Sequence, residues 1–155
     1  MEVTKTDLNY YQFNENNPKF TGCVIDKNGS KYWLLNGKYH RTDGPALEYA
    51  DGSKAWYLNG KYHRTDGPAF ERADGHKAWF LNGKLHRTDG HAIEYTDGSK
   101  YWYLNGKYYR TDGHAVEYAD GSKSWYLNGE RLTEEEWIIK MRIKKLGGFL
   151  QNVFN

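Results

Sequence analysis

The residues of this chain that could do acid–base chemistry come in rows. His40, His63 and His86 each stand in a His-Arg-Thr-Asp string, and an imidazole beside a carboxylate suits general-base catalysis or metal capture. Glu48, Glu71, Glu94 and Glu117 form a second row, and two carboxyls about 5 Å apart are what a retaining glycosidase needs. The spacing argues against both. Copies recur every 23 residues, and if each unit supplies two paired strands at ~4.8 Å, equivalent side chains lie about 10 Å apart. Ligands on ~2 Å bonds cannot share an ion across that gap. The fourth copy carries Tyr109 in place of histidine, and His91 and His114 replace Pro45 and Pro68 as turn residues. The histidines therefore read as structural, each imidazole beside a Trp56-type ring and each following Asp in an Asx-type turn. No P-loop, Gly-x-Ser-x-Gly, Cys-x-x-Cys or strand-to-helix Gly-x-Gly-x-x-Gly is present. The reading is of a chain that is not an enzyme, with no catalytic residues, no metal and no cofactor.

Binding is the better use of the rows. Arg41, Arg64, Arg87 and Arg110 recur at equivalent places, as do Lys38, Lys61, Lys84 and Lys107. With Tyr39, Tyr62 and Tyr108 beside them they would offer aromatic-plus-cation sites to a nucleic acid or an acidic protein face. Tyr57, Tyr103 and Tyr126, with Phe80, lie on the face opposite the tryptophans, and an uncovered aromatic face marks an interface. Against this, Asp43, Asp66, Asp89 and Asp112 follow each arginine by two residues, so the arginine row can neutralise itself. The net charge of +2 predicts no polyanion partner by itself.

The elements that position these rows follow from a tandem repeat. Trp33, Trp56, Trp79, Trp102 and Trp125 are 23 residues apart, and each is followed two positions later by Leu-Asn-Gly. With 14 Tyr, 6 Trp, 17 Gly and 3 Pro in 155 residues, strands and glycine turns are favoured over helices. Periods of this length build arrays in which each unit buries its apolar face against its neighbours. Taking Asp51-Gly52 as a two-residue type I′ turn pairs Leu47 with Trp56 and Glu48 with Ala55. The same rule sets Phe70 opposite Trp79, Ile93 opposite Trp102 and Val116 opposite Trp125. Leu47, Tyr49, Trp56 and Leu58 would then share one face, and Ala46, Glu48 and Tyr57 the other. Asn59-Gly60 reverses the chain again and brings Lys61-Tyr62-His63 back beside Trp56.

The ends differ from the middle. The first unit is degenerate, with Cys23 in the small-residue slot of Ala46, Ala69, Ala92 and Ala115; as the single cysteine it reads as a packed residue. Residues 1–19 form an irregular cap over the first strand edge, 20–132 five hairpin repeats, and 133–155 a helix and apolar tail. Thr133 with Glu136 is a capping box, and Gly147-Gly148 predicts a stop, giving a helix over 134–146. Trp137, Ile138, Met141 and Leu146 would pack on the last hairpin, with Lys140, Lys144 and Lys145 outward. The fold class is all-β: an elongated, single-layer antiparallel meander, solenoid-like, with a C-terminal capping helix.

The Trp-x-x-Asn-Gly-Lys string, the following His-Arg-x-Asp-Gly and the second Asp-Gly make residues 21–129 resemble the MORN-repeat class, above all its bacterial, phage and viral variants. Arg-Thr-Asp-Gly-Pro stands where the standard pattern has a compact His-Gly-x-Gly. The resemblance implies a twisted single-layer sheet of hairpins that binds protein or lipid without catalysis, and the variant members include antitoxin-like and phage proteins.

The expected function is thus a protein-interaction module, of the kind a phage uses to inhibit or modulate a host protein. The partner would be a host or cellular protein, or a second copy through the aromatic face or the C-terminal tail. A polyanion binder (nucleic acid or anionic lipid) is the alternative, and a carbohydrate or choline repeat the second alternative, from the echo in Trp-Tyr-Leu-Asn-Gly. The N-terminus has no basic-then-apolar leader and no stretch is apolar for ~18 residues, which predicts a cytoplasmic protein.

Overall fold

Each repeat carries two chain reversals of different kinds, and the difference sets the register of the whole sheet. The computed structural model describes the backbone of residues 3–5 and 19–153 and the side chains of 19–147. Its strands are β1 (Val3–Lys5), β2 (Gly22–Ile25), β3 (Lys31–Leu35), β4 (Lys38–Tyr39), β5 (Leu47–Glu48), β6 (Lys54–Ala55), β7 (Tyr57–Leu58), β8 (Lys61–Tyr62) and β9 (Phe70–Glu71). The pattern continues with β10 (Lys77–Ala78), β11 (Phe80–Leu81), β12 (Lys84–Leu85), β13 (Ile93–Glu94), β14 (Lys100–Tyr101), β15 (Tyr103–Leu104) and β16 (Lys107–Tyr108). It ends with β17 (Val116–Glu117), β18 (Lys123–Leu127), β19 (Glu130–Leu132) and the helix α1 (Glu134–Val153). One 13-stranded sheet runs through the molecule, antiparallel except at β1, and β7–β8, β11–β12 and β15–β16 are separate hairpins. The chain is an all-β array of hairpins with one helix among its described residues.

The Asp-Gly reversal is a three-residue loop, not the two-residue turn expected. The Gly52 N–H donates to Tyr49 O at 2.9 Å and the Tyr49 N–H to Ser53 O at 2.9 Å. Gly52 alone takes a positive φ (91°), while Asp51 keeps an ordinary backbone and its Oδ1 accepts the Ser53 N–H at 2.8 Å. This is a type I turn closed by a left-handed glycine. The extra residue slips the register by one: Leu47 pairs with Ala55 and Glu48 with Lys54. Phe70 likewise pairs with Ala78, Ile93 with Tyr101 and Val116 with Ser124. Since side chains alternate faces, Trp56 sits on the side opposite Leu47, not beside it.

Two ladders result. One is apolar: Tyr32, Leu47, Ala55, Phe70, Ala78, Ile93, Tyr101 and Val116 follow one another across the strands. The other alternates in charge, Lys31, Glu48, Lys54, Glu71, Lys77, Glu94, Lys100, Glu117 and Lys123, each cation flanked by a carboxylate. Ser53 ties successive loops, its Oγ accepting the Ala73 N–H at 2.9 Å.

The Asn-Gly reversal behaves as the sequence predicts. Asn36, Asn59, Asn82, Asn105 and Asn128 have φ of 50–53°, each followed by a positive-φ glycine, and Tyr57 pairs with Tyr62. Both central residues in the left-handed region define a type I′ turn. At Trp56 the strand changes partners: its N–H donates to Ala69 O at 2.8 Å and its carbonyl accepts the His63 N–H at 3.0 Å. Neighbouring hairpins are joined by Gly60 N–H to Tyr39 O (2.8 Å) and Arg41 N–H to Tyr57 O (3.1 Å).

At the N-terminal end β1 pairs with β2, Val3 with Cys23, so that edge is covered. Cys23 is buried, and burial pushes its thiol up. At the other end Thr133 Oγ1 accepts the Glu136 N–H at 3.2 Å and Glu136 Oε2 the Thr133 N–H at 2.8 Å, the capping box expected. The helix does not stop at 146. Gly147 and Gly148 are helical, and without a left-handed residue there is no cap to end the segment, although glycine costs about 1 kcal/mol there. Leu146 is 63% exposed rather than packed. Lys140 and Lys144 turn to the array: Lys140 Nζ lies 2.7 Å from Glu130 Oε2, and Lys144 Nζ donates to Tyr109 Oη at 2.9 Å. The Trp137 Nε1–H donates to Arg110 O at 3.2 Å.

Because alanine strains the left-handed region by roughly 1–2 kcal/mol, Asn82→Ala should lower stability by about that much in urea titrations. Asn82→Gly should lose less.

Candidate functional site

The Arg-Thr-Asp-Gly segment forms a loop over the tryptophan of each of four repeats, held there by a stacked guanidinium. Arg41 Cζ lies 4.0 Å from the Trp33 ring centroid, Arg64 3.9 Å from Trp56, Arg87 4.1 Å from Trp79 and Arg110 4.1 Å from Trp102. Arg64 Nε–H donates to Asp66 Oδ1 at 2.9 Å and its Nη1–H to Pro68 O at 3.2 Å. Its other side is closed by Gly67, where a Cβ would come within 3.0 Å of Arg64 Cζ. The glycine is needed for that approach, not for a turn. The guanidinium is thus sandwiched between an indole and a bare backbone.

The carboxylates complete the loop. Arg41 and Arg64 reach Glu48 and Glu71 through Nη1 at 3.3 and 3.1 Å. In the next two repeats histidine replaces proline and takes the glutamate instead: His91 Nε2 lies 3.3 Å from Glu94 Oε2 and His114 Nε2 3.2 Å from Glu117 Oε2. His91 also stands edge-on between Trp79 and Trp102, with centroids at 6.2 and 5.5 Å. Hydrogen bonds from these histidines hold Glu94 and Glu117 below the usual range, as those from arginine hold Asp43, Asp66, Asp89 and Asp112.

His40, His63 and His86 return beside Trp33, Trp56 and Trp79, whose carbonyls accept their N–H groups at 3.0 Å, and each imidazole bonds onward to the next repeat. Each Nδ1 is 2.9 Å from the side-chain oxygen of the next repeat's asparagine, Asn59, Asn82 or Asn105. The following aspartates pair with arginine, and the Asx turns belong to Asp51 and its equivalents. Tyr109, the exception to the histidine row, is the residue on which Lys144 docks.

Between successive loops lie open clefts. Three share one construction and a volume of about 520 Å³ each. Their floors are Trp56 with Leu58, Trp79 with Leu81, and Trp102 with Leu104; each wall is the Arg-Thr-Asp-Gly loop of one repeat and of the next. The threonines stand exposed on the rims. Among the described residues no three His, Cys, Asp or Glu side chains group to hold a metal ion, and no helix is long and apolar enough to cross a membrane.

No protein-family model and no curated protein matches this chain. The geometry alone must carry the functional reading.

That geometry separates residues the sequence put together. Arg41, Arg64, Arg87 and Arg110 are taken up by their own loops, with side chains 21–23% exposed. The tyrosines stack elsewhere in a column of their own. Tyr39 meets Tyr57 at 5.1 Å, Tyr57 meets Tyr62 at 4.2 Å, and Tyr62 meets Phe80 at 4.8 Å. Farther along, Tyr108 lies 4.2 Å from Tyr103 and 4.6 Å from Tyr126. Tyr39, Tyr57 and Tyr62 pack against the buried cluster of Val24, Leu34, Leu47 and Ala55, and burial with a bond to Tyr108 pushes the Tyr103 phenol up. The cleft floors, Trp56, Trp79 and Trp102, were not among the sequence candidates. Their signal was the Trp-x-Leu spacing, which sets both side chains on one face.

A carboxylate held low in the folded state adds stability above its unfolded value, near 3.9 for Asp, and that stability is lost as pH falls through the lower folded value. Melting temperature should therefore fall on acidification from pH 5 to about 2.5, in the region of the aspartate titration. It should fall less in Asp66→Asn/Asp89→Asn, whose melting point at pH 7 starts lower; parallel losses would remove the loops from the account.

Proposed function

We propose that the protein is a non-enzymatic interaction module that docks a partner protein along its row of clefts. The observation that supports this reading is the threefold recurrence of one cleft, with the same tryptophan and leucine floor and the same loop walls. Half-exposed tryptophans on a rigid frame are the usual anchors of protein interfaces. Their guanidinium clamps keep the loops in place before binding, which reduces the ordering that association demands. The reading agrees with the resemblance to MORN-variant repeats, and a phage-type inhibitor or modulator of a host protein is its finer form.

A polyanion is the second reading, on a different surface. Lys38, Lys61, Lys84 and Lys107 are exposed beside the Asn-Gly turns, and none has a carboxylate within ion-pair distance among the described residues.

Thr65→Arg/Thr88→Arg fills two cleft rims with bulk and should leave the melting temperature unchanged while reducing capture of the partner at least tenfold. Retained capture by that variant would refute docking at the clefts. Loss instead in a Lys38/Lys61/Lys84/Lys107 to Gln variant, with log affinity falling by roughly 0.7–0.9 per decade of salt for each lysine, would favour the polyanion.

A further inference from the structure

We infer that the clefts take a basic polyproline II segment of the partner protein, one helical turn to each repeat. The inference rests on the docking reading above and names its ligand.

The first ground is the period. Each repeat adds two strands to the main sheet, and strands lie ~4.7–4.9 Å apart, so equivalent clefts recur about every 9.4–9.8 Å. A polyproline II helix has three residues per turn and rises ~3.1 Å per residue, returning the same face every ~9.3 Å. Across three clefts the two repeats drift apart by at most about 1 Å. An extended strand shows one face every ~6.7 Å, and an α-helix has a pitch of ~5.4 Å. Neither keeps step with the clefts.

The second ground is chemistry. An aromatic floor with an aliphatic neighbour is the surface on which prolyl rings pack, and polyproline II recognition uses aromatic-lined grooves. The walls of two clefts add Pro45 and Pro68. A polyproline II backbone has no internal hydrogen bonds, so its carbonyls need donors. Among the described residues the indole N–H groups of Trp56, Trp79 and Trp102 donate to no protein acceptor, whereas that of Trp137 does.

The third ground is charge. The arginine side chains are 21–23% exposed beneath their loops, while the paired Asp43, Asp66, Asp89 and Asp112 are 77–80% exposed. In Asp43, Asp66 and Asp89 the arginine engages Oδ1 and leaves Oδ2 outward. The outermost charge along the rims is therefore carboxylate, repeated once per cleft. Its complement is one lysine or arginine per turn of the ligand. This reverses the expectation from the sequence that the arginine row would attract an acidic face.

The test is titration of the full chain by calorimetry and tryptophan fluorescence with a peptide of four Pro-Pro-Lys triplets. Controls are four Gly-Ser-Lys triplets, which keep the charge but not the helix, and four Pro-Pro-Glu triplets, which reverse the charge. The Pro-Pro-Lys peptide should bind at least tenfold tighter than either control, and a two-triplet version should bind more weakly. The gain should disappear in Thr65→Arg/Thr88→Arg at unchanged melting temperature. Equal binding of Gly-Ser-Lys, or no binding of Pro-Pro-Lys, overturns the inference. If the native partner is still captured by wild type and lost from the threonine variant, docking at the clefts stands and only the polyproline ligand falls.

Discussion

The stack of an arginine on a tryptophan is the contact on which the surface of this array depends. A guanidinium is planar and presents its donors in a fixed fork, so one side chain can lie on an indole while bonding an aspartate and a backbone carbonyl. Arg64 does all three, to Trp56, Asp66 and Pro68. It thereby ties the floor of one cleft to the loop that separates that cleft from the next. Lysine could supply the charge but not the plane. The bare backbone of Gly67 permits the approach, and the same combination recurs in four repeats.

The two faces of each strand have been given separate work. One side builds the core through Leu47, Ala55 and the tyrosine column, where small alanines let aromatic rings close over the sheet. The other carries the charge ladder and the tryptophans, which stay partly open because their covering groups are polar. The alternating Lys–Glu register places each inner cation between two carboxylates, and every such pair is modest in water. Its value lies as much in register as in energy: a slip of one residue would set charges into the apolar ladder.

Features decided by local chemistry were legible in the sequence. The repeat, the chain reversal at Asn-Gly and the capping box of Thr133 and Glu136 each depend on a few adjacent residues. The Asp-Gly turn misled because that dipeptide serves two loops, and the choice turns on whether Asp51 or only Gly52 becomes left-handed. Ser53 was the clue, since its amide engages Asp51 and its hydroxyl bonds the next repeat. The single-residue error moved Trp56 to the wrong face and hid the clefts. The helix ran past Gly147-Gly148 because propensity alone does not end a helix. Tyr109 broke the histidine row for a reason found only in three dimensions, the docking of Lys144 from α1.

The central claim is that the arginine–tryptophan stack holds the loops that wall the clefts. Amide hydrogen exchange, resolved over residues 63–69 and 86–92, tests it most directly in an Arg64→Lys/Arg87→Lys variant. The account predicts faster exchange in both segments, with protection of the apolar ladder at Ala55, Phe70 and Ala78 unchanged. Exchange in the loops indistinguishable from wild type would contradict it.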